Sequence, residues 1–295
     1  MALRIASNLT GASRAVAEVG TDLRLSSTTD ARIESLLAEA QRLRGEYEVP
    51  SGFQRGPFFE IQSDRFALVA IDTGIVKRID EVQWAWLESA LERARGKFIM
   101  AVLGHPFYAK AYDMAYGNEP FARLKRLLVD HGVTVMMAGD THDLEYYVEP
   151  AGVSTPAVHY FVNGGGGAYL SLGTSLEWPD KPPTAEWAIY PTRDDVARKI
   201  DLETPWWKRP AWWWVNHHHA WPFQTEYLSG LFDYNVAPFF QSFIEVRVEP
   251  SARRVRLLPY GVHGRLRWRD LARSTILNAA IGGRDDFAEW VLPMR

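Results

Sequence analysis

The chain has 295 residues, 47% hydrophobic and 23% charged, which is the composition of a globular protein and excludes a disordered or fibrous one. Its net charge of −3 excludes a nucleic-acid binder that works by bulk electrostatics. It has no cysteine, so disulfides, thiolate zinc sites and cysteine nucleophiles are excluded, and no apolar run approaches the ~20 residues needed to span a bilayer.

Residues 1–29 are rich in Ser, Thr, Ala and Arg and poor in acids, a composition that mimics a transit peptide. Without a continuous apolar stretch they read as a frayed start, or as a start cut out of something longer. Asp30 to Tyr47 is predicted as a helix, with Ile33, Leu36, Leu37, Ala40 and Leu43 on one face and Asp30 as N-cap. Pro50, Gly52, Gly56 and Pro57 then break the chain. This sets three expected segments: residues 1–49 with one helix, an α/β core over 50–170, and a Trp- and Pro-rich region over 171–295.

Phe58 to Ile61 and Phe66 to Ile71 read as paired strands around Ser63-Asp64. A helix is predicted over Glu81 to Arg95, capped by Asp80 with Gln83 in a capping box. Its expected buried face is Val82, Leu87, Ala90, Leu91 and Ala94, and Gly96 stops it. A strand over Phe98 to Leu103, a helix over Pro120 to His131 and a strand over Val133 to Ala138 complete a parallel α/β pattern. Leu144 to Val148 and Val158 to Val162 are further strands. Residues 173–225 read as irregular, Phe239 to Val248 with Arg254 to Leu258 as a hairpin, and Asp270 to Ala280 as a short helix.

Two of these strands end alike. Phe98 to Leu103 runs into Gly104-His105, and Val133 to Ala138 into Gly139-Asp140-Thr141-His142-Asp143. Ligands of open α/β sheets bind beyond the carboxyl ends of the strands. A lone loop histidine is more often solvated or hydrogen-bonded. Two of them on one rim bring metal binding level with that reading.

Taken in order, Ile71-Asp72-Thr73, the helix with Gln83, Trp86 and Leu87, Gly104-His105, Gly139-Asp140-Thr141-His142 and the run Asn163 to Gly167 resemble the C-terminal half of calcineurin-like metallophosphoesterases. The resemblance covers roughly residues 50–170. It implies a β-sandwich flanked by helices, two divalent ions bridged by an Asp, and hydrolysis of a phosphate ester by metal-activated water. His105 and His142 would be metal ligands. Asp140 stands where the family has a ligating His, which favours manganese or magnesium over zinc, with iron also within the family's range. Asp72 and Asn163 would lie near the site as supporting residues. No catalytic acid or base is assigned.

The family's first-half motifs, Asp-x-His, Gly-Asp-x-x-Asp and Gly-Asn-His-Glu/Asp, do not occur upstream of Phe66. The expectation is therefore a partial sandwich lacking its first strands, with an incomplete site that another segment completes or that belongs to a truncated reading frame. The alternative is a non-catalytic remnant or binding module. The default expectation for compartment is a soluble, cytoplasmic protein.

Three features have two readings each. Asn163 to Gly167 is a tight turn passing close to the site, or a phosphate cradle. Trp206, Trp207, Trp212, Trp213, Trp214 and Trp221 form a packed lid, or a sugar-stacking or membrane-interface surface. His217, His218 and His219 are a solvated loop, or an adventitious metal site.

Overall fold

The computed structural model describes residues 38, 39, 42, 46, 57–109, 112–152, 156–166, 184, 186–192, 206–218, 241–273 and 286–294. The chain divides into a unit of Met1–Arg55 and a unit of Gly56–Arg295. In the first, the described Ala38, Glu39, Arg42 and Glu46 are helical. Arg42 pairs there with Glu39 at 2.8 Å and Glu46 at 2.6 Å. These are one-turn neighbours on an exposed surface, where such pairs contribute little. The predicted N-cap Asp30 and the apolar face of this helix lie outside the described residues.

The second unit begins with β1 (Phe59–Gln62) and β2 (Phe66–Ile71), an antiparallel hairpin with Gln62 opposite Ala67. Helix α1 (Glu81–Arg93) leads to β3 (Phe98–Leu103), which pairs parallel to β2. A small hairpin of β4 (Tyr108–Ala109) and β5 (Tyr112–Asp113) precedes helix α2 (Glu119–Asp130). Then β6 (Val133–Ala138) pairs parallel to β3, and β8 (Val158–Asn163) parallel to β6. Strand β7 (Leu144–Glu149) turns back antiparallel to β8.

Strand β9 (Glu186–Tyr190) adds to β7, and β13 (Ala272–Arg273) adds to β9. The sheet order is β1-β2-β3-β6-β8-β7-β9-β13. Helix α3 (Arg209–His218) follows a single turn at Trp206–Lys208. A second sheet holds β10 (Ser242–Glu249), β11 (Arg254–Gly261) and β12 (Gly264–Arg265), with β14 (Trp290–Pro293) on β11.

The helices form where local chemistry stops the alternatives. Asp80 accepts the Gln83 backbone N–H at 2.7 Å, and Asn118 accepts that of Phe121 at 3.3 Å. The helix tails turn out at Gly96 and Gly132, with φ of +81° and +75°.

Strand alternation then sorts the side chains. From β3, Ile99, Ala101 and Leu103 join Leu87 and Leu91 of α1 and Phe121, Leu124 and Leu128 of α2 in one core. Phe98 and Met100 point the other way and pack with Ile244, Val255, Leu257 and Trp290 of the second sheet. The result is a β-sandwich with α1 and α2 on the outer face of its larger sheet. The expected fold class is the observed one.

Four expectations need correction. Val82 is 73% exposed because it sits in the first turn of α1, ahead of the row that reaches the sheet. Gln83 does not close a capping box. Its buried amide donates to the Asp72 carbonyl and accepts the Asp72 N–H, both at 2.8 Å. Ala272 and Arg273 are a strand and not helix, since they pair with the open edge of β9; Asp270 ends a single 3-10 turn, and residues 274–280 of that predicted helix lie outside the described residues. The stretch 173–225 was expected to be irregular, yet it contains β9 and α3.

Two clusters fasten the layers. Between the sheets, the Trp290 ring lies 4.8 Å from Tyr146, 5.1 Å from Phe161 and 5.5 Å from Trp268. Trp290→Ala should cost roughly 3–5 kcal/mol, read as a lower midpoint of urea unfolding.

On the helical face, Glu149 accepts from Lys125 Nζ at 2.7 Å, Tyr160 at 2.7 Å and Tyr108 at 2.5 Å. Burial alone would push its carboxyl up. The hydrogen bonds from Lys125, Tyr108 and Tyr160 and the Lys125 charge outweigh that and hold it below the ordinary value. A depressed folded value gives stability that is present above the unfolded pKa of ~4.3 and lost as pH falls through the folded one. Glu149→Gln should cost about 2 kcal/mol at neutral pH and flatten the acid limb of the stability curve, as measured by thermal unfolding from pH 7 downward.

Candidate functional site

The four parallel strands deliver their carboxyl ends to one rim. Ile71 pairs with Leu103, Leu103 with Ala138, and Ala138 with Val162. The residues that follow are Asp72-Thr73, Gly104-His105, Gly139-Asp140-Thr141-His142 and Asn163-Gly164. Neighbouring strands lie about 4.8 Å apart, so this rim is narrow enough for one small ligand to touch several of its loops.

By register, Thr73 and His105 stand side by side, and the Thr73 hydroxyl is 2.9 Å from His105 Nδ1. Thr73 is fully buried while His105 is half-buried. The hydrogen bond orients the imidazole and leaves Nε2 as its available nitrogen. Asp72 is exposed, and its Oδ1 accepts the Gly74 N–H at 2.9 Å. The Gln83 amide clamps its main chain from α1. These roles of Thr73 and Gln83 were not foreseen. The sequence signals for Thr73 were its place just past a strand end and its membership of Ile71-Asp72-Thr73, and neither pointed to His105.

The loop after β6 is wound tightly. Thr141 N donates to Gly139 O, and Asp143 N to Thr141 O, both at 2.9 Å. These are successive three-residue turns, and Asp140, at the centre of the first, has φ +71°. That is the strained form of such a turn. Asp140 is exposed, His142 half-buried, and Asp143 only 1% exposed.

The glycine run packs against this loop. A Cβ on Gly164 would lie 1.9 Å from the Thr141 carbonyl oxygen, and one on Gly165 2.3 Å from Ser242 Oγ. Gly164 N also donates to Asp143 O at 3.1 Å. For Gly164 and Gly165 the close-approach reading therefore holds, while Gly167 lies outside the described residues. The Asn163 Nδ2 makes only a 3.9 Å contact with Met137 Sδ. Its Oδ1 is buried without a hydrogen-bond partner, an arrangement that costs about 1–3 kcal/mol unless something donates to it or is ligated by it.

The rim thus brings His105, Asp140, His142, Asp72 and Asn163 to one end of the sheet. Its donors suit part of a divalent-metal site: two imidazoles, an exposed carboxylate and an unsatisfied amide oxygen. They do not complete one. Among the described residues no three His, Asp or Glu side chains stand close enough together to hold a metal ion.

No family model matches the chain. No curated protein matches it either. Among solved structures it is similar to GAP50, the anchor in the inner membrane complex of Plasmodium, with 23% identity, a TM-score of 0.30, and coverage of 39% of this chain and 38% of that one. It is also similar to the purple acid phosphatase PPD1 isolated from yellow lupin (Lupinus luteus) seeds, with 12% identity, a TM-score of 0.43, and coverage of 83% of this chain and 34% of that one. The chain spans little more than a third of either protein's length. Likenesses this distant assign no chemistry.

The packing of the glycine run yields a test. Gly164→Ala should cost roughly 3 kcal/mol, because a main-chain carbonyl has to move. The proton resonances of His142 should shift with it, while Gly166→Ala, with open space around its Cα, leaves both stability and spectrum unchanged.

Proposed function

We propose that this rim takes a phosphate ester and belongs to a metal-dependent phosphoesterase. The supporting observation is that adjacent parallel strands β2, β3, β6 and β8 each end in a side chain able to bind a metal, orient a ligand or accept a proton. Of His105, Asp140 and His142, at most two would hold a divalent ion (manganese, iron, zinc or magnesium) in the described geometry, with further donors from outside the described residues. When bound, such an ion sets positive charge against the phosphoryl oxygens and acidifies the attacking water.

The chain's own residues have supporting work. Thr73 holds the His105 ring at Nδ1, so Nε2 is the nitrogen that faces ligation. Gln83 fixes the peptide of Asp72 at the rim's edge. Gly164 lets β8 approach the Thr141 carbonyl and keeps the loop carrying Asp140 and His142 in one place. Asn163 Oδ1 is a further oxygen available to a cation.

A second reading, a non-catalytic binding module, is favoured by a different observation. Trp206, Trp207, Trp213 and Trp214 are 80%, 46%, 56% and 38% exposed. On that reading the rim is a scaffold without its chemistry.

Elemental analysis of the purified 295-residue chain separates the two. The metalloenzyme reading expects near-stoichiometric manganese, iron or zinc, reduced in His142→Ala, together with a loss of aryl-phosphate hydrolysis of at least about a hundredfold. If His142→Ala hydrolyses the aryl phosphate as well as the parent does, the proposal is wrong.

A further inference from the structure

In helix α3 and the turn before it, every side chain described from Trp206 to Trp214 is exposed except the half-buried Lys208. Trp206, Trp207, Pro210, Trp213 and Trp214 recur at i, i+1, i+4, i+7 and i+8, the spacing that normally turns an apolar stripe to the core. Here each of them is exposed. Trp206, at 80%, is among the most exposed large apolar side chains in the protein. A contiguous apolar stripe in solvent marks a surface that meets something.

The chemistry of the stretch narrows what that is. From residue 204 to residue 225 there is no Asp or Glu, and the cations Lys208 and Arg209 sit within it, although the chain as a whole carries −3. Lys208 Nζ lies 5.2 Å from the centre of the Trp207 ring. Between Trp206 and Trp214 there is also no Ser, Thr, Asn or Gln. A sugar-binding face pairs its stacking rings with such groups to reach hydroxyls, and here the side-chain donors besides the indoles are the cations Lys208 and Arg209.

Indoles with basic neighbours are the composition of the bilayer's interfacial zone, where rings sit at headgroup level and cations meet lipid phosphates. No described helix is long and apolar enough to cross a membrane. A helix of this kind lies in the plane of the surface.

We propose that the segment Trp206–Trp214 is a membrane-interface surface that docks on anionic phospholipid headgroups. The tryptophans enter the headgroup region, and the exposed Arg209 meets the negative charge.

Flotation of the full chain with lipid vesicles tests this. The chain should float with vesicles of roughly one part phosphatidylserine to two parts phosphatidylcholine, and about tenfold less with phosphatidylcholine alone. Trp206→Ala with Trp207→Ala should weaken binding to the mixed vesicles by about tenfold or more. Both residues are exposed, and an unchanged circular dichroism spectrum confirms that the variant folds. Arg209→Gln should weaken binding to the mixed vesicles and leave the phosphatidylcholine baseline alone. No flotation with either vesicle overturns the proposal, as does flotation that the double variant retains. Retention on immobilised oligosaccharide without vesicle binding would assign the surface to sugar stacking instead and overturn it as well.

Discussion

Parallel pairing of β2, β3, β6 and β8 is the constraint on which the rest of the structure depends. Parallel neighbours cannot be joined by a tight turn, so the chain has to return along a face of the sheet, and α1 and α2 are those returns. A sheet covered on one face by helices and on the other by a second sheet needs strands that are apolar on both sides. The sequences of β3 and β6, Phe-Ile-Met-Ala-Val-Leu and Val-Thr-Val-Met-Met-Ala, meet that need. Because all four strands point one way, their carboxyl ends share a rim, and each ends in polar residues that have no place in the core. The location of the candidate site is thus a consequence of strand direction.

Legibility in the sequence followed the range of the forces involved. Most strands and helices along 58–149 were readable because periodicity and caps are local; the two-residue strands β4 and β5, too short to show a period, were not. Asp80, Asn118, Gly96 and Gly132 act within a turn of where they stand. Gln83 was misread because the capping box is a local template, and its amide is instead claimed by the main chain of Asp72, 11 residues away in sequence. Val82 was misread because spacing alone does not say where a helix first touches its sheet. Strand β13 was read as helix because Ala272 and Arg273 have no strand signal of their own and are strand only by pairing with β9.

The candidate site was legible in part for the same reason. His105, Asp140 and His142 announce themselves by following a strand and a glycine. Their support does not. Thr73 is placed against His105 by register between two strands, a relation that no linear pattern displays. The tryptophans of 206–214 had two readings, a packed lid or an exposed surface, and spacing alone did not separate them; the exposure of Trp206, Trp207, Trp213 and Trp214 is what the structure adds.

The geometry of the β6 loop has a further implication for where its energy comes from. Asp140 at φ +71° is a conformation an L residue holds only when its surroundings over-determine it. Strand β6 cannot do this alone, since it ends at Ala138. The restraint comes from β8: Gly164 donates its N–H to the Asp143 carbonyl, and its missing side chain lets it sit against the Thr141 carbonyl. Gly165 in turn accepts from the Ser242 N–H at the start of β10, in the second sheet. A path of main-chain contacts therefore runs from the second sheet through the two glycines to the loop that carries Asp140 and His142. The rim loop is thus held from the side of the second sheet by main-chain contacts and not by any side chain of the site.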